Sequence, residues 1–238
     1  MTTRVAVVGA SGRMGSVTCA AIEEDPGLEL VARISSGDSL QAVLDAGADV
    51  AVEFTTPASV AANTRWLLER GVHAVVGATG LSEVDLDELR GLVGPANCVV
   101  APNFAIGAVL LMRLAAEVAP YLPQVEIIEL HHDRKLDAPS GTALRTARLI
   151  AQARASVPEV PGPAGHPARG VMVEGVPVHS VRLPGVVASE EVVFGGQGQT
   201  LTLRHDSIDR SSFMPGVLLA VRKVAGTSGL TVGLDALL

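Results

Sequence analysis

The stretch RVAVVGASGRMG, from Arg4 to Gly15, decides the fold of this chain. An apolar strand ends at Gly9, and Gly12 and Gly15 follow at equal spacing before a helical pattern begins. In a dinucleotide-binding turn, the first glycine permits a tight turn and the second lets backbone N–H groups approach a pyrophosphate. The third lets the helix pack closely on the sheet. Because the motif follows a first strand and opens a helix, it predicts a dinucleotide-binding domain.

The rest of the first half repeats the order strand, then helix. Further apolar strands are predicted at 28–34, 49–54, 72–79 and 97–101. Buried strands that alternate with helices indicate a parallel sheet covered on both faces, with right-handed crossovers. The predicted class is α/β, with a Rossmann-like nucleotide-binding domain whose ligand lies at the carboxyl ends of the strands.

Three loops leave those carboxyl ends and are predicted to line the cofactor. For the second and third loops, an ordinary strand-to-helix turn is the alternative interpretation. The candidate cofactor residues are Gly9, Ala10, Ser11, Gly12, Arg13 and Met14, then Gly77, Ala78 and Thr79, and then Ala101, Pro102, Asn103 and Phe104.

The end of the second strand bears on the choice of cofactor. An acidic residue about 20 residues beyond the glycines normally binds the ribose 2′-hydroxyl, but no acid occurs here before Asp38. Arg33, Ser35 and Ser36 stand there instead, and arginines and hydroxyls suit a 2′-phosphate. We therefore expect NADPH to be accepted at least as well as NADH. The alternative is that Arg33 points into solvent.

The pattern changes after Ala105. An apolar helix over 106–122, a strand over 124–132 and a helix after Pro139 precede a Pro- and Gly-rich loop at 156–170 and three further strands. These elements predict an α+β substrate-binding and oligomerisation domain over 104–211, with an open mixed sheet of about four strands and two helices. The nucleotide-binding domain would comprise 1–103 and 212–238, with the C-terminal part returning to helix.

That organisation has two consequences. Two helices cover only one face of a sheet, so the other face favours a homo-oligomer. Because the cofactor and the substrate would bind to different domains, hinge closure near residues 104 and 212 should precede chemistry.

Composition narrows the class of protein. The 238 residues carry a net charge of -7, and only 3% are aromatic, so nucleic acid is not an expected partner. No apolar run reaches the roughly 18 residues of a membrane span, and the start lacks a signal-peptide layout. We expect a soluble, cytoplasmic protein without a metal site, with Cys19 and Cys98 as free buried thiols.

A second stretch, ELHHDRKLDAPSGTA over 129–143, concentrates polar groups between a strand and a helix. Histidines donate hydrogen bonds or protons near neutral pH, a lysine is a compact cation, and a helix start binds anions. Each feature alone is more often a surface histidine, a solvated lysine or an ordinary cap. Together they predict a site for a small dicarboxylate. The candidate groups are His131, His132, Lys135, Ser140, Gly141 and Thr142.

This stretch closely resembles the signature of the 4-hydroxy-tetrahydrodipicolinate reductase family, also called dihydrodipicolinate reductases. The likeness extends over nearly the whole chain, through VAVVGASGRMG, VEFTTP, VVGATG, APNFAIGAVL and LRHDSIDRSSFMPGVLLAVRKV. The compact length and RHDSIDR resemble the actinobacterial branch. The resemblance implies NADH- or NADPH-dependent reduction of 4-hydroxy-tetrahydrodipicolinate to tetrahydrodipicolinate, in lysine and diaminopimelate synthesis.

The resemblance also implies roles for residues. His131 would be the acid/base, and Lys135 a proton donor or carboxylate partner. The substrate carboxylates would be held by His132, Ser140, Gly141 and Thr142. Family members are homotetramers joined through the C-terminal sheet, and many use either nicotinamide cofactor. This chain departs from its relatives at 33–36, where they often place an acid, and at Ala78, where a threonine is usual.

Three alternatives remain open. Another two-domain dehydrogenase would share the first half, although a semialdehyde dehydrogenase needs a nucleophilic cysteine that this pattern does not place at the site. A relative with an altered substrate would keep the same signature. A non-catalytic NAD(P)-sensing protein would keep the glycine loop, but it would have no need for the histidine–lysine stretch.

Overall fold

The computed structural model describes residues 2–92, 94, 96–154 and 167–238. The described residues form eleven strands: β1 (Thr3–Val8), β2 (Leu28–Ile34), β3 (Val50–Glu53), β4 (His73–Val76), β5 (Cys98–Val100), β6 (Gln124–His131), β7 (Val171–Val173), β8 (Val176–Arg182), β9 (Ala188–Gly196), β10 (Gln199–Ser207) and β11 (Leu230–Val232). They form seven α-helices: α1 (Arg13–Glu23), α2 (Gln41–Asp45), α3 (Val60–Glu69), α4 (Glu83–Gly91), α5 (Ile106–Val118), α6 (Gly141–Ala153) and α7 (Met214–Lys223). Short 3-10 helices lie at Pro167–Arg169, Arg210–Phe213, Val224–Gly226 and Leu234–Leu237.

The described chain divides into two compact units. One comprises Met1–Ile106 with Phe213–Leu238, and the other comprises Gly107–Ser212. Among the described helices, none is both long and apolar enough to cross a lipid bilayer. Of the Pro- and Gly-rich loop predicted at 156–170, the part from 156 to 166 lies outside the described residues.

The first unit is built on a six-stranded parallel sheet in the order β11-β5-β4-β3-β1-β2. The central strand β1 is fully buried from Val5 to Val7, as expected for a parallel sheet with helices on both faces. The chain runs outward from β1 to β2 on one side and through β3, β4 and β5 on the other. The switch point therefore lies between β1 and β3, and the predicted Rossmann-like class is confirmed.

The prediction that the C-terminal part is helical was wrong for one segment. Helix α7 is followed by β11, which pairs in parallel with β5 and extends the sheet from the predicted five strands to six. The reason lies in the glycines that bracket this strand. Gly229 and Gly233 both take positive φ and bracket Leu230, Thr231 and Val232, a run that includes two β-branched residues and stays extended.

Both cysteines behave as predicted. Cys19 lies on the buried face of α1 beside Thr18 and Ile22, and Cys98 lies in β5. Both are free and buried. Burial raises the pKa of the Cys98 thiol to about 12, so this thiol is chemically inert at neutral pH.

The second unit is built on an open mixed sheet in the order β10-β9-β6-β8-β7. Strands β6 and β8 are parallel, and the other pairs are antiparallel. The mixed sheet is confirmed, but it has five strands rather than four. The missed strand, β7, forms a hairpin with β8 around Glu174 and Gly175, both at positive φ. A two-residue turn of that kind joins strands directly, and the short Glu-Gly signal was not recognised.

One face of this sheet is packed beneath α5 and α6. Its apolar core includes Ile127 of β6, Phe194 of β9, Val178 of β8 and Ile150 of α6, all essentially inaccessible to solvent. The same face becomes polar toward the end of β6, where Glu129 is fully buried. That burial explains why β6 alternates imperfectly: an acidic residue occupies a core-facing position.

Candidate functional site

The glycine loop is held by close backbone contacts. Gly9 takes φ +88°, and a Cβ at this position would lie 2.6 Å from the carbonyl oxygen of Phe54. A Cβ at Gly15 would lie 2.1 Å from the carbonyl oxygen of Gly9. The N–H of Gly12 donates to that same oxygen at 2.9 Å. Only glycine fits at Gly9 and Gly15, the first and third positions of the motif, which explains why glycine recurs there.

The loop leaves N–H groups available for an anion. Gly12 is the N-cap of α1 and has no side chain that could cap the first turn. The amides that follow it, at Arg13 and Met14, belong to the first helical turn and lack intrahelical acceptors. Ser11 and Arg13 are exposed, whereas Ala10 is buried beneath them. This arrangement fits the pyrophosphate of a dinucleotide, at the positive end of a helix dipole.

The second predicted loop begins at Gly77, immediately after β4. A Cβ there would lie 2.2 Å from the ring of Phe54 and 2.7 Å from the ring of Phe104, which themselves pack edge to face at 6.0 Å. Ala78 is half-buried, and Thr79 is exposed. The loop therefore lies on an aromatic pair contributed by its two neighbours.

The third predicted loop follows β5 at the same edge of the sheet. Ala101 is buried and donates its N–H to Val76. Asn103 accepts the N–H of Ala105 at 2.9 Å, and Pro102 before it is exposed. The three loops thus leave the carboxyl ends of β1, β4 and β5 at one edge of the sheet. Strands β4 and β5 are neighbours, and β3 lies between β4 and β1.

Strand β3 contributes an acid that the sequence reasoning did not single out. Glu53 is fully buried at the end of β3, and burial raises its pKa in spite of hydrogen bonds from Thr55 and Asn63. Its carboxylate binds the Thr55 hydroxyl and the Asn63 amide, and its carbonyl accepts the Gly77 N–H. It therefore fixes the segment after β3 against the start of the Gly77 loop. The sequence signal for this residue is the single acid in the segment VEFTTP, at the end of an apolar strand.

The end of β2 has an unexpected arrangement. The guanidinium of Arg33 does not stand alone in solvent, because it pairs with Glu23 Oε1 at 2.5 Å, with both side chains about half exposed. The N–H of Ser35 donates to Asp38 Oδ2 at 2.8 Å. Asp38 therefore folds back to the strand end although it stands later in the sequence than the usual acid.

In the second unit, the stretch from 129 to 143 is organised by a buried carboxylate. Glu129 accepts two hydrogen bonds from Arg182, at 2.9 and 3.0 Å, and one from the backbone N–H of Ser140 at 3.3 Å. Its Oε2 also lies 2.5 Å from Nδ1 of His131. The sequence reasoning missed both Glu129 and Arg182, which are 53 residues apart.

These contacts determine the protonation state of the Glu129 carboxyl group. Burial tends to raise the pKa of Glu129, but hydrogen bonds from His131, Arg182 and Ser180 outweigh it and lower the pKa to about 2. Glu129 is thus a carboxylate at neutral pH. The Nδ1–H of His131 must then donate a hydrogen bond to Glu129, which leaves Nε2 as the ring nitrogen available for proton exchange.

The lysine is held in the loop after β6. The N–H of Lys135 donates to the carbonyl of His132, and Nζ forms an ion pair with Asp137 at 2.8 Å. Asp137 remains largely exposed in this pair, with 60% of its side chain accessible to solvent. The hydrogen bond from Lys135 lowers the pKa of Asp137, and its neighbours Asp133 and Arg134 are exposed as well.

The helix start behaves as its sequence suggests. Ser140 is the N-cap of α6, it is 2% exposed, and its Oγ accepts the N–H of Ala143 at 3.2 Å. Gly141 is exposed and Thr142 is half-buried at the first turn. The backbone N–H of Ser140 and the ring of His131 both bind the Glu129 carboxylate, so the start of α6 lies beside the His131 ring.

Comparison with known proteins covers the whole chain. The family model described as "Dihydrodipicolinate reductase, N-terminus" matches residues 3–104, and "Dihydrodipicolinate reductase, C-terminus" matches residues 107–238. Two curated relatives bear the name 4-hydroxy-tetrahydrodipicolinate reductase. The protein of Nocardia farcinica is 55% identical over 100% of this chain and 99% of its own length. That of Streptomyces coelicolor is 52% identical over 98% and 96%.

Comparison with solved structures points to the same family. A structure titled "Dipicolinate bound Dihydrodipicolinate reductase from Paenisporosarcina sp. TG-14" matches with a TM-score of 0.88 and 38% identity over 100% of both chains. An amine dehydrogenase from Mycobacterium smegmatis matches with a TM-score of 0.64 over 99% of this chain and 96% of its own, but at 13% identity. That second likeness shows a shared fold alone.

Proposed function

The chain belongs to the dihydrodipicolinate reductase family, and we propose that it reduces 4-hydroxy-tetrahydrodipicolinate to tetrahydrodipicolinate with a nicotinamide cofactor, in lysine and diaminopimelate synthesis. One observation carries the proposal. In the segment from 129 to 143, a histidine fixed on a buried carboxylate, a lysine and an anchored helix start occur together. These groups suit a small acid that must also receive a proton.

The cofactor residues are proposed from the three loops at the carboxyl edge of the first sheet. NADPH or NADH, when bound, supplies the hydride. The pyrophosphate would be held by the amides of Gly12, Arg13 and Met14, and Arg33 and Ser35 would face the adenosine ribose. The remaining proposed contacts are Gly9, Ala10, Ser11, Gly77, Ala78, Thr79, Ala101, Pro102, Asn103 and Phe104.

We propose that NADPH is used at least as well as NADH. Support comes from the uncharged side chain of Ser35 directly after β2, but the Asp38 carboxylate that accepts the Ser35 N–H would repel a 2′-phosphate and would have to turn away. Arg33 would have to exchange its partner Glu23 for that phosphate. Steady-state kinetics with each cofactor tests the preference, and a KM for NADH several-fold below that for NADPH would contradict it.

The substrate carboxylates are proposed to bind at the start of α6. The amides of Gly141 and Thr142 and the cap Ser140 offer donors at the positive end of the helix. His132 would add a further donor. Lys135 is proposed to leave Asp137 for a substrate carboxylate, since both partners are acids and the side chain of Asp137 is largely exposed. Held in this way, the ring is oriented for reduction.

His131 is proposed as the general acid. Its Nδ1–H donates to Glu129, so the ring is fixed in orientation and tautomer, and the positive charge of a protonated ring is stabilised by the same carboxylate. Nε2 would deliver the proton that the reduced, conjugated imine requires. Lys135 stands in the same segment as the second candidate donor.

The oligomeric state and the location are proposals of the same kind. The face of the second sheet opposite α5 and α6 carries the half-buried apolar residues Ile128, Leu130, Val181 and Val193. We propose a homotetramer joined through this face, in the cytoplasm. Sedimentation of the purified protein as a monomer would contradict the tetramer.

The reaction has a direct test. Loss of NADPH absorbance with freshly prepared substrate should be enzyme-dependent, and pyridine-2,6-dicarboxylate should inhibit it competitively. Lys135→Ala should lower kcat/KM by about 100-fold or more, in the range of acid–base groups. Arg134→Ala, which removes an exposed positive charge from the same loop, is the matched control and should have little effect. A kcat within about threefold of wild type at unchanged KM would refute the role of Lys135.

A further inference from the structure

A second buried glutamate faces the first. In the antiparallel pair of β6 and β9, Glu129 stands directly opposite Glu190. Both are almost inaccessible to solvent, at 0% and 4% exposure. Side chains directly opposite in such a pair lie about 4.5–5.5 Å apart at their Cβ atoms. Two acids are therefore buried side by side under α6.

The two acids differ in their hydrogen-bond partners. Glu129 has Arg182 and His131 as partners, whereas Oε1 of Glu190 has no hydrogen-bond partner among the described residues. Arg182 is bound to both oxygens of Glu129, so its charge is already matched. A second buried carboxylate without a cation is costly, and such a group binds a proton instead.

The other groups around Glu190 do not supply that cation. Glu190 is paired across β10 with His205, whose pKa is lowered by burial. Helix α6 contributes the uncharged hydroxyl of Thr146. From β6, His131 lies diagonally opposite, two positions beyond Glu129 on the same face. Burial raises the pKa of Glu190 to about 7, in spite of the Thr146 hydroxyl, and the charge of Glu129 adds to the increase.

We propose that Glu190 is a positioning residue that tunes proton release by His131. When Glu190 is protonated, Glu129 is the one carboxylate shared by Arg182 and a protonated His131, so the ring releases its proton more readily than when Glu190 is ionised. When Glu190 is ionised, the cluster carries an excess negative charge, and His131 keeps its proton. The charges of His131 and Glu190 are therefore expected to depend on each other.

The coupling has an expected size. For a diagonal separation of about 7–8 Å and an effective dielectric constant of about 20, the charge of Glu190 should shift the midpoint measured for His131 by about one and a half pH units. The proposal rests on the proposed role of His131, but the coupling itself can be measured in the enzyme without substrate.

The test compares Glu190→Gln with wild type by NMR titration of the His131 ring in the intact enzyme. Gln preserves shape and imitates the protonated acid, so the midpoint of His131 should fall by about one and a half units and the curve should become that of a single site. Glu190→Asp should restore the coupled curve. Glu191→Gln, which changes the neighbouring acid on the opposite face of β9, is the matched control and should leave His131 unchanged.

The pH profile of kcat/KM gives the second measurement. In Glu190→Gln, the alkaline limb should move to lower pH, with activity at pH 6 within about twofold of wild type. A uniform loss at every pH would indicate a structural role and overturn the proposal. A His131 midpoint within about 0.2 units of wild type would overturn it too. If wild type showed no reductase activity, the proposed function would fail, while the NMR titration would still decide the coupling.

Discussion

Replacing Arg182 by methionine should destabilise the second unit, because it removes the cation from buried Glu129. The Arg182 guanidinium donates two hydrogen bonds to the Glu129 carboxylate. It also donates to the backbone carbonyls of Asp137 and Val181. The pKa of Glu129 stands at about 2, against a usual value of 4.5. A difference of that size corresponds to about 3 kcal/mol at neutral pH, shared among the hydrogen bonds from His131, Arg182 and Ser180.

The sign of the pH dependence is distinctive. In wild type the folded pKa of Glu129 is depressed, so its contribution is present above pH 4.5 and is lost as the pH falls toward 2. In Arg182→Met, burial without the cation should raise the pKa instead. Because a buried charge that loses its partner costs about 3–5 kcal/mol, the variant should lose about 3 kcal/mol of unfolding free energy at pH 7 and recover part of that difference at pH 5.

Urea denaturation followed by circular dichroism, at one protein concentration and at both pH values, measures these quantities. The double variant Glu129→Gln/Arg182→Met should be more stable than the sum of the single changes predicts, because it leaves no buried charge. The interpretation is refuted if Arg182→Met loses less than about 1 kcal/mol, or if its loss is the same at pH 7 and pH 5.

Three further outcomes are expected. Gly15→Ala should weaken NADPH binding at least about tenfold, measured by fluorescence titration, because the new Cβ would lie 2.1 Å from the Gly9 carbonyl oxygen. Ser35→Asp should move the ratio of kcat/KM for NADPH over NADH toward NADH by about tenfold or more, since a carboxylate there repels a 2′-phosphate. Asp137→Asn should lower the substrate KM about threefold at similar kcat, because Lys135 loses the acid that competes with substrate.

Each of these has a control. Gly91→Ala adds a Cβ that meets no heavy atom within 4 Å among the described residues, so NADPH binding should stay unchanged. Ser35→Ala removes the hydroxyl without adding charge and should alter the cofactor ratio far less than the aspartate does. Asp133→Asn removes an exposed charge from the same loop as Asp137 and should leave KM as it is. An equal effect of variant and control would contradict the corresponding explanation.

The parts of the fold that follow from local sequence could be predicted. The glycine spacing in 4–15, the continuous apolar strands and the Ser140 cap each act through neighbours in the chain, and all of them signal their structure directly. The missed strands β7 and β11 are three residues long, and each is held by pairing with a strand joined to it by a tight turn or distant from it, β8 or β5 respectively. A run of three residues has too little periodicity to separate a strand from a loop.

The supporting shell of the candidate site could not be predicted, for a different reason. Glu129, Arg182 and Glu190 are ordinary charged residues in the sequence, and their meaning arises from burial and from pairing between β6, β8 and β9. Sequence alone does not reveal which acid will lie under a helix and which will face water. The groups expected to touch the substrate formed one short motif, whereas the groups that set their charge are spread over about sixty residues.

The pairing of β11 with β5 has a consequence for synthesis. A ribosome releases β5 long before Leu230–Val232, because the entire second unit lies between them in the sequence. Until those last residues emerge, β5 is an open edge of a nascent parallel sheet, the kind of surface that recruits other strands. The first unit therefore closes last although it begins first, and shortening the chain before residue 230 would leave that edge permanently exposed.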